Sequence, residues 1–422
     1  MATVLPFAGI RPQAKLAEQV AAPPYDVVNS TEARELARGN PHCFLHISKP
    51  EIDLPPETDS HDDCVYQKGR ENLDCFLAES ILSKDLHPCF YLYRQSIEDP
   101  KGNKAEAVQH SQTGFVGLVS ADDYEADVIK KHELTRPDKE NDRVRHMAAL
   151  AAQTGPVFLT YQGEHALQLI MDKWSQPQPV YDFVSDGVRH QFWTVTDEDA
   201  IAQISSHFEK IPALFVADGH HRSAAAVRYR AMRREQNPQH TGKEAYNYFM
   251  AVMFPHDQLN ILAYNRVVKD LGTYDKQLFL AALSADFEVT VCAQGVLPER
   301  SGSFGLYLDA QWYRLDYRAI NNAAVDLVSG LDVSILQDKI LSPLLGIADP
   351  RTDPRIDFIG GIKGLPALEQ AVDSGEYAAA FTFFPVSIKA LMQIAEQGKL
   401  MPPKSTWFEP KLKSGLILHA LD

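Results

Sequence analysis

No apolar run in this chain of 422 residues is long enough to cross a bilayer, which excludes a helical membrane span. The opening Met1-Ala2-Thr3-Val4-Leu5-Pro6 lacks the charged and long apolar regions of a secretory signal. Cysteine is scarce. Cys43, Cys64, Cys75, Cys89 and Cys292 form no CxxC pair and are odd in number, which argues against a disulfide framework or zinc site. A soluble, cytoplasmic protein with reduced thiols is expected. Basic residues are in deficit, 41 Lys and Arg against 56 Asp and Glu, for a net charge of -15. That balance argues against a general nucleic-acid binder, which needs a basic surface to neutralise phosphates. A local basic pocket for one small anion is still allowed. Three catalytic signatures are also missing: the GxxxxGK[ST] phosphate loop, a GxGxxG after a strand, and the GxSxG nucleophile elbow. The HExxH metal motif fails as well, because Arg136 stands where the second histidine would follow His132-Glu133. No metal ligand set is assigned.

Hydrophobic residues at 45% and charged residues at 23% describe an ordinary globular chain with ample material for a core. The length exceeds that of a typical domain. The pattern divides into an N-terminal α/β region over 1–118, a core over 119–270 and a C-terminal α/β region over 271–422. Asn29-Ser30-Thr31 caps a short helix over Glu32 to Arg38, and Pro50 to Asp63 reads as an exposed acidic loop. Helical periodicity covers Cys64 to Lys84. Strands are expected at Cys89 to Arg94, Thr113 to Val119 and Pro156 to Tyr161, with a polar turn near Pro100 to Asn103 and a short strand end leading into a loop over Val128 to Glu133. A helix is expected from Lys139 to about Gln153. Ala245 to Phe254 and Leu259 to Leu262 are spaced as a hairpin. Beyond Leu271 come a helix over Lys276 to Leu283, strands at Phe287 to Val291, Ser303 to Leu308 and Trp312 to Leu315, and a helix from Asp332 to Leu345. Proline stiffens Met401 to Lys411 against helix formation. The class is α+β with mixed sheets.

The densest chemistry is Ala217-Asp218-Gly219-His220-His221-Arg222. It follows the apolar strand pattern Ile211 to Val216 and precedes an alanine-rich helix pattern from Ser223. Gly219 permits a sharp turn, and the helix is expected to open at His221 or Arg222. Free N–H groups there, two imidazoles and a guanidinium fork suit an anion, phosphate above all. The ordinary use of the same residues is Asp218 as a cap, two solvated histidines, and an Arg222–Asp218 pair.

A second constellation runs from Lys130 to Arg145, where Lys139, Arg143 and His146 fall near one helical face. Its plain reading is a solvated face laced with ion pairs. Its chemical reading gives Glu133 the role of general base, with Lys139 and Arg143 supplying charge to a phosphoryl group.

Five segments together resemble the bacterial and archaeal family known as domain of unknown function 1015. They are Phe7 to Pro12, Ala22-Pro23-Pro24-Tyr25-Asp26-Val27, Lys131 to Thr135, Ala217 to Arg222 and Pro402 to Thr406. Asp218-Gly219-His220-His221-Arg222 is further similar to the helix-start motif of the ParB/sulfiredoxin-like fold, whose members include free serine kinases. That resemblance implies a strand-turn-helix phosphate-site core elaborated by additional α/β structure. It implies nucleotide phosphates at the motif, Glu133 and His221 as catalytic groups, and Asp218, Gly219, His220 and Arg222 as contacts. Lys139, Arg143, Tyr25 and Asp26 join them as phosphate or substrate contacts.

The expected activity is phosphoryl transfer to or from a small hydroxylated metabolite, serine or phosphoserine among the candidates. The donor would be a nucleotide or diphosphate, with magnesium to offset phosphate charge. Two alternatives stay open: a nucleotide-binding regulatory module without turnover, and a phosphate-ester hydrolase working through a phosphohistidine. The expected partner is a small phosphate-bearing ligand, with neither nucleic acid nor membrane. Oligomeric state is open.

Overall fold

The computed structural model describes residues 1–98, 108–319 and 326–422, so the turn expected near Pro100 to Asn103 lies outside the described residues. The chain is α+β and divides into two compact units. The first comprises Met1–Lys131, Thr135–Leu259 and Pro410–Asp422; the second comprises His132–Leu134 and Asn260–Glu409. Among the described residues, no helix is long and apolar enough to cross a membrane.

The first unit is built on a nine-stranded mixed sheet. Its strands are β1 (Val4–Leu5), β2 (Phe90–Glu98), β3 (Val108–Ser120), β4 (Ile129–Lys130), β5 (Val157–Tyr161), β6 (Tyr181–Ser185), β7 (Val188–Val195), β8 (Leu214–Asp218) and β9 (Tyr248–Pro255). Their order is β4-β8-β5-β9-β3-β2-β7-β6, with β1 alongside β3. The pair β5–β9 is parallel, while β8 runs antiparallel to β5 and β9 antiparallel to β3. All five residues of β5 are buried, as a strand covered on both faces requires.

The helices of this unit include α1 (Ser30–Ala37), α2 (Leu45–Ser48), α3 (Asp63–Ala78), α4 (Pro137–Leu150), α5 (His165–Trp174), α6 (Glu198–Phe208) and α7 (His220–Gln236). Leu167, Met171, Ile204 and Phe208 from α5 and α6 pack with Phe115, Leu159 and Tyr161 of the sheet. A separate N-terminal cluster joins Phe44, Ile47, Leu73 and Phe76 to Leu150 at the end of α4.

Several boundaries differ from the sequence reading for identifiable reasons. The capping box of Asn29 and Glu32 forms as its spacing implies. The acidic stretch after Pro50 is not wholly an exposed loop. Pro50–Asp53 is a tight helical turn in which Glu51 is buried, held by Lys49 at 3.0 Å and the Ser30 hydroxyl at 2.9 Å. The helix expected through Lys84 stops at Ala78, because Leu82–Lys84 pairs as a strand with Ile10–Pro12. Asn260–Leu262 does not close a hairpin onto the preceding strand; it pairs with Trp407–Glu409, a partner far along the chain.

The C-terminal segment ties the first unit together. Ala22 and Ser414 exchange backbone hydrogen bonds at 3.1 and 2.9 Å, and His419–Ala420 pairs with Ala152–Gln153. Gly415 between these contacts has φ +88°, and a Cβ there would lie 2.7 Å from the Phe44 side chain.

The second unit is a six-stranded antiparallel sheet. Taken across the sheet, its strands are Phe287–Cys292, Gln311–Tyr317, Ser303–Leu308, Ala379–Phe383, Tyr264–Val268 and Ile356–Gly360. The helices Lys276–Leu283, Gly364–Asp373 and Ile388–Glu396 accompany it. The helix opening at Asp332 passes into a π-helical turn over Gln337–Leu341.

Two outcomes follow from this packing. Gly415→Ala meets both a backbone and a steric penalty, so it should lower unfolding stability by about 1–3 kcal/mol in urea titration. Acid should also weaken the first unit. His146, His190 and His419 are 2%, 1% and 5% exposed. Burial first, then the charges of Arg143, Lys413 and Lys84 respectively, lower their pKa values to about 4, 3 and 4. Below the ordinary value near 6.5 the unfolded chain binds protons that the native rings refuse. Stability therefore falls as pH drops from about 6.5 toward 4, by about 1.4 kcal/mol per pH unit for each ring. His46, raised by its bond to Asp53, works in the opposite direction. Urea midpoints at pH 7 and 5 should show the loss, and His419→Gln should flatten it by one ring's share.

Candidate functional site

Strand β8 leaves the sheet through a register shift between Val216 and Asp218, a bulge that turns the last residue away from the regular pleat. Gly219 then adopts φ +94°, a conformation suited to glycine, and α7 opens at His220. The helix thus starts one residue before His221. Its N-cap is Gly219, without a side-chain cap, so Asp218 does not cap it. The Oδ1 of Asp218 accepts from the Gly219 N–H at 2.8 Å, and Oδ2 accepts from Lys411 Nζ at 2.6 Å. Burial would raise this carboxyl, but Lys411, followed by Arg222 and His220, holds it well below the usual carboxylate range. Asp218 orients the turn rather than ending the helix.

Arg222, the third residue of α7, points its guanidinium toward the N-terminal segment. Nη1 donates to the Pro156 carbonyl at 2.9 Å and Nη2 to Asp26 at 3.3 Å, and Cζ lies 5.2 Å from the ring centre of Tyr25. From α4, the Arg143 Cζ lies 3.8 Å from the same ring, and Arg143 pairs with Asp142 at 2.6 Å. Burial, then the neighbouring Asp26, pushes the Tyr25 phenol up to about 12, so it stays protonated. Tyr25, Asp26, Arg143 and Arg222, separated by nearly 200 positions of sequence, thus share one place.

Tyr25, Arg143 and Arg222 border a cleft of about 490 Å³ counted to its open mouth. One part of its lining is apolar, with Val157, Ala226, Phe249 and Met250; Arg143, Arg222, Tyr25, Gln153 and Ser414 supply polar groups. No carboxylate is among the lining residues. The cleft therefore suits an anionic ligand with an apolar portion and offers no cage for a magnesium ion, which prefers carboxylate and water oxygens.

The remaining expected residues fall as follows. His220 is 7% exposed, and its pKa is lowered to about 4 by burial. His221 is half-buried, and its Nε2 accepts the Arg136 N–H at 3.1 Å. The lone pair on that nitrogen is thereby engaged, and the neutral ring carries its proton on Nδ1. Lys139 is exposed on α4 and does not line the cleft. Glu133 belongs to the second unit. There it and Tyr264 oppose the burial that lowers Arg266 to about 9. Sequence reasoning missed Lys411, Ser414, Gln153 and Ser48 because each reaches the site through tertiary pairing.

Similar solved structures include a free serine kinase variant in complex with AMP, 13% identical, covering 69% of this chain and 86% of its own, with a TM-score of 0.36. A conserved hypothetical protein from Pyrococcus furiosus is 13% identical over 70% of this chain and 92% of its own, with a TM-score of 0.34. SbnI from Staphylococcus aureus, truncated at its C-terminus, is 10% identical over 70% and 84%, with a TM-score of 0.36. No curated protein matches the sequence. The family model described as "Protein of unknown function (DUF1015)" matches residues 4–334, and the chain belongs to that family.

Proposed function

We propose that the first unit's cleft binds the phosphate of a small metabolite and serves phosphoryl transfer between a nucleotide or diphosphate and a hydroxylated acceptor, serine or phosphoserine among the candidates. The observation that carries this reading is Arg222, which stands in the first turn of α7 and on the cleft wall at once. Its guanidinium carries donors, and the helix turn on which it stands carries the positive end of the helix dipole. Arg143 adds a second fork in the same space. In a protein with net charge -15, two arginines on the cleft lining favour an anion able to compete with their partners Asp142 and Asp26.

In this reading Arg222 and the opening N–H groups of α7 hold phosphate oxygens, and Arg143 neutralises charge on the transferring group. The acceptor oxygen forms its bond to phosphorus as the bond to the leaving phosphate breaks, and the hydroxyl proton passes to a carboxylate. The family resemblance gives the base role to Glu133 and a catalytic role to His221, and this reading keeps both as proposals. Magnesium would travel with the nucleotide, since the cleft lining does not fit it.

Titration calorimetry with AMP, ADP, diphosphate and phosphoserine, followed by phosphorus NMR of turnover, tests the proposal. Arg222→Ala should weaken the phosphate ligand by about 10- to 100-fold, the worth of a charge-assisted hydrogen bond. Glu133→Gln should leave that affinity within about threefold and lower turnover at least a hundredfold, the scale of a lost general base. Unchanged affinity in Arg222→Ala would remove the site from its assigned place. Tight nucleotide binding with no product from any acceptor would favour the regulatory module over the enzyme.

A further inference from the structure

Away from the arginines, the cleft wall formed by the end of α2 and the middle of α4 carries neutral hydrogen-bonding groups. Ser48, the last residue of α2, is 4% exposed and lines the cleft. Its Oγ has no hydrogen-bond partner among the described residues. A buried hydroxyl left without a partner costs about 1–3 kcal/mol, so alanine would serve better if packing were its only task. His146 lines the same cleft and donates from Nε2 to the carbonyl of Ile47, the residue before Ser48, at 2.9 Å. A carbonyl only accepts, so Nε2 carries the proton and Nδ1 keeps a lone pair. Burial, then the Arg143 charge, hold the ring neutral near physiological pH, with Ile47, Asp142 and Glu51 opposing.

This wall discriminates among ligand groups. An ammonium would meet the Arg143 cation on the same lining. A carboxylate or phosphate oxygen would face the His146 lone pair with no proton to offer it. A neutral alcohol satisfies both partners, accepting from the Ser48 hydroxyl and donating to the His146 ring. We infer that Ser48 and His146 form an alcohol-recognition subsite within the cleft, reading a neutral hydroxyl of the ligand whose phosphate lies at Arg222. The inference rests on the phosphate reading of this cleft and extends it from the anion to the group beside it. Two sources carry such a hydroxyl, the ribose of a nucleotide or the alcohol of an acceptor.

The test compares ligand pairs differing in hydroxyl content, titrated into the full chain. The first pair is ADP and 2′,3′-dideoxy-ADP; the second is L-serine and L-alanine in the presence of saturating ADP. The wild-type protein should prefer the hydroxylated member of one pair by about tenfold, one hydrogen bond's worth. Ser48→Ala should erase that preference while still binding ADP through Arg143 and Arg222. The pair that responds identifies the source. Equal binding of both members in both pairs by the wild-type protein overturns the subsite without recourse to any variant. A preference that survives in Ser48→Ala, with its circular dichroism unchanged, overturns it as well. Failure of the wild-type protein to bind ADP is the distinct result that removes the phosphate reading, and the subsite with it.

Discussion

Two guanidinium groups approach one phenol ring in the first unit's cleft, and much of the surrounding structure serves to keep them there. Bringing like charges into a partly buried space costs desolvation and mutual repulsion. Each cation therefore has its own anion, Asp142 for Arg143 and Asp26 for Arg222. The ring of Tyr25 offers both an electron-rich face. The pairings are unequal. Asp142 is held at 2.6 Å and also accepts from Tyr66 at 2.8 Å, whereas Asp26 is more exposed and contacts Arg222 at 3.3 Å. Arg222 is thus the guanidinium more readily redirected to an incoming anion, and Arg143 the fixed one.

Backbone constraints hold this arrangement from three directions. The left-handed turn at Gly219 sets the direction of α7 and hence of Arg222. The extended Pro23-Pro24 step delivers Tyr25 and Asp26. The tail from Pro410 onward returns to the sheet, pairs with Ala22, and places Lys411 against Asp218. A substitution at Gly415 would act on the cleft through this tail although its own side chain would meet Phe44.

What could be read in the sequence followed from how local each signal was. The strand β8, the glycine turn and the alanine-rich helix are contiguous, so their periodicity and turn chemistry placed them to within a residue or so. The capping box at Asn29 and Glu32 and the helix Lys276–Leu283 were legible for the same reason. Pairing was not. Asn260–Leu262 looks like the return of a hairpin by spacing, yet its partner lies at Trp407–Glu409, a choice made by tertiary packing that no local pattern records. Leu82 fits a helical stripe and a strand equally well until Ile10–Pro12 is brought beside it. The site divides along the same line. Asp218, Gly219 and Arg222 were legible as a motif, and Arg143 as a cation on one face of a helix. Lys139, on a similar face by spacing, is exposed, because helical periodicity fixes a direction only to within the breadth of a face. Ser48 gave no signal, since an unpartnered buried hydroxyl exists only in three dimensions.

The overall charge bears on the kind of ligand this cleft can hold. At physiological ionic strength a net charge of -15 repels an anion over a Debye length of about 8 Å. The two arginines act at contact distance inside a partly dehydrated space, where the same charge counts for more. An anion small enough to lie within the cleft meets the local field at its strongest. A polyanion would extend past the reach of the two arginines and meet the net negative charge of the chain. If Arg222 holds phosphate as proposed, the net charge of the chain favours a small anionic metabolite over a nucleic acid.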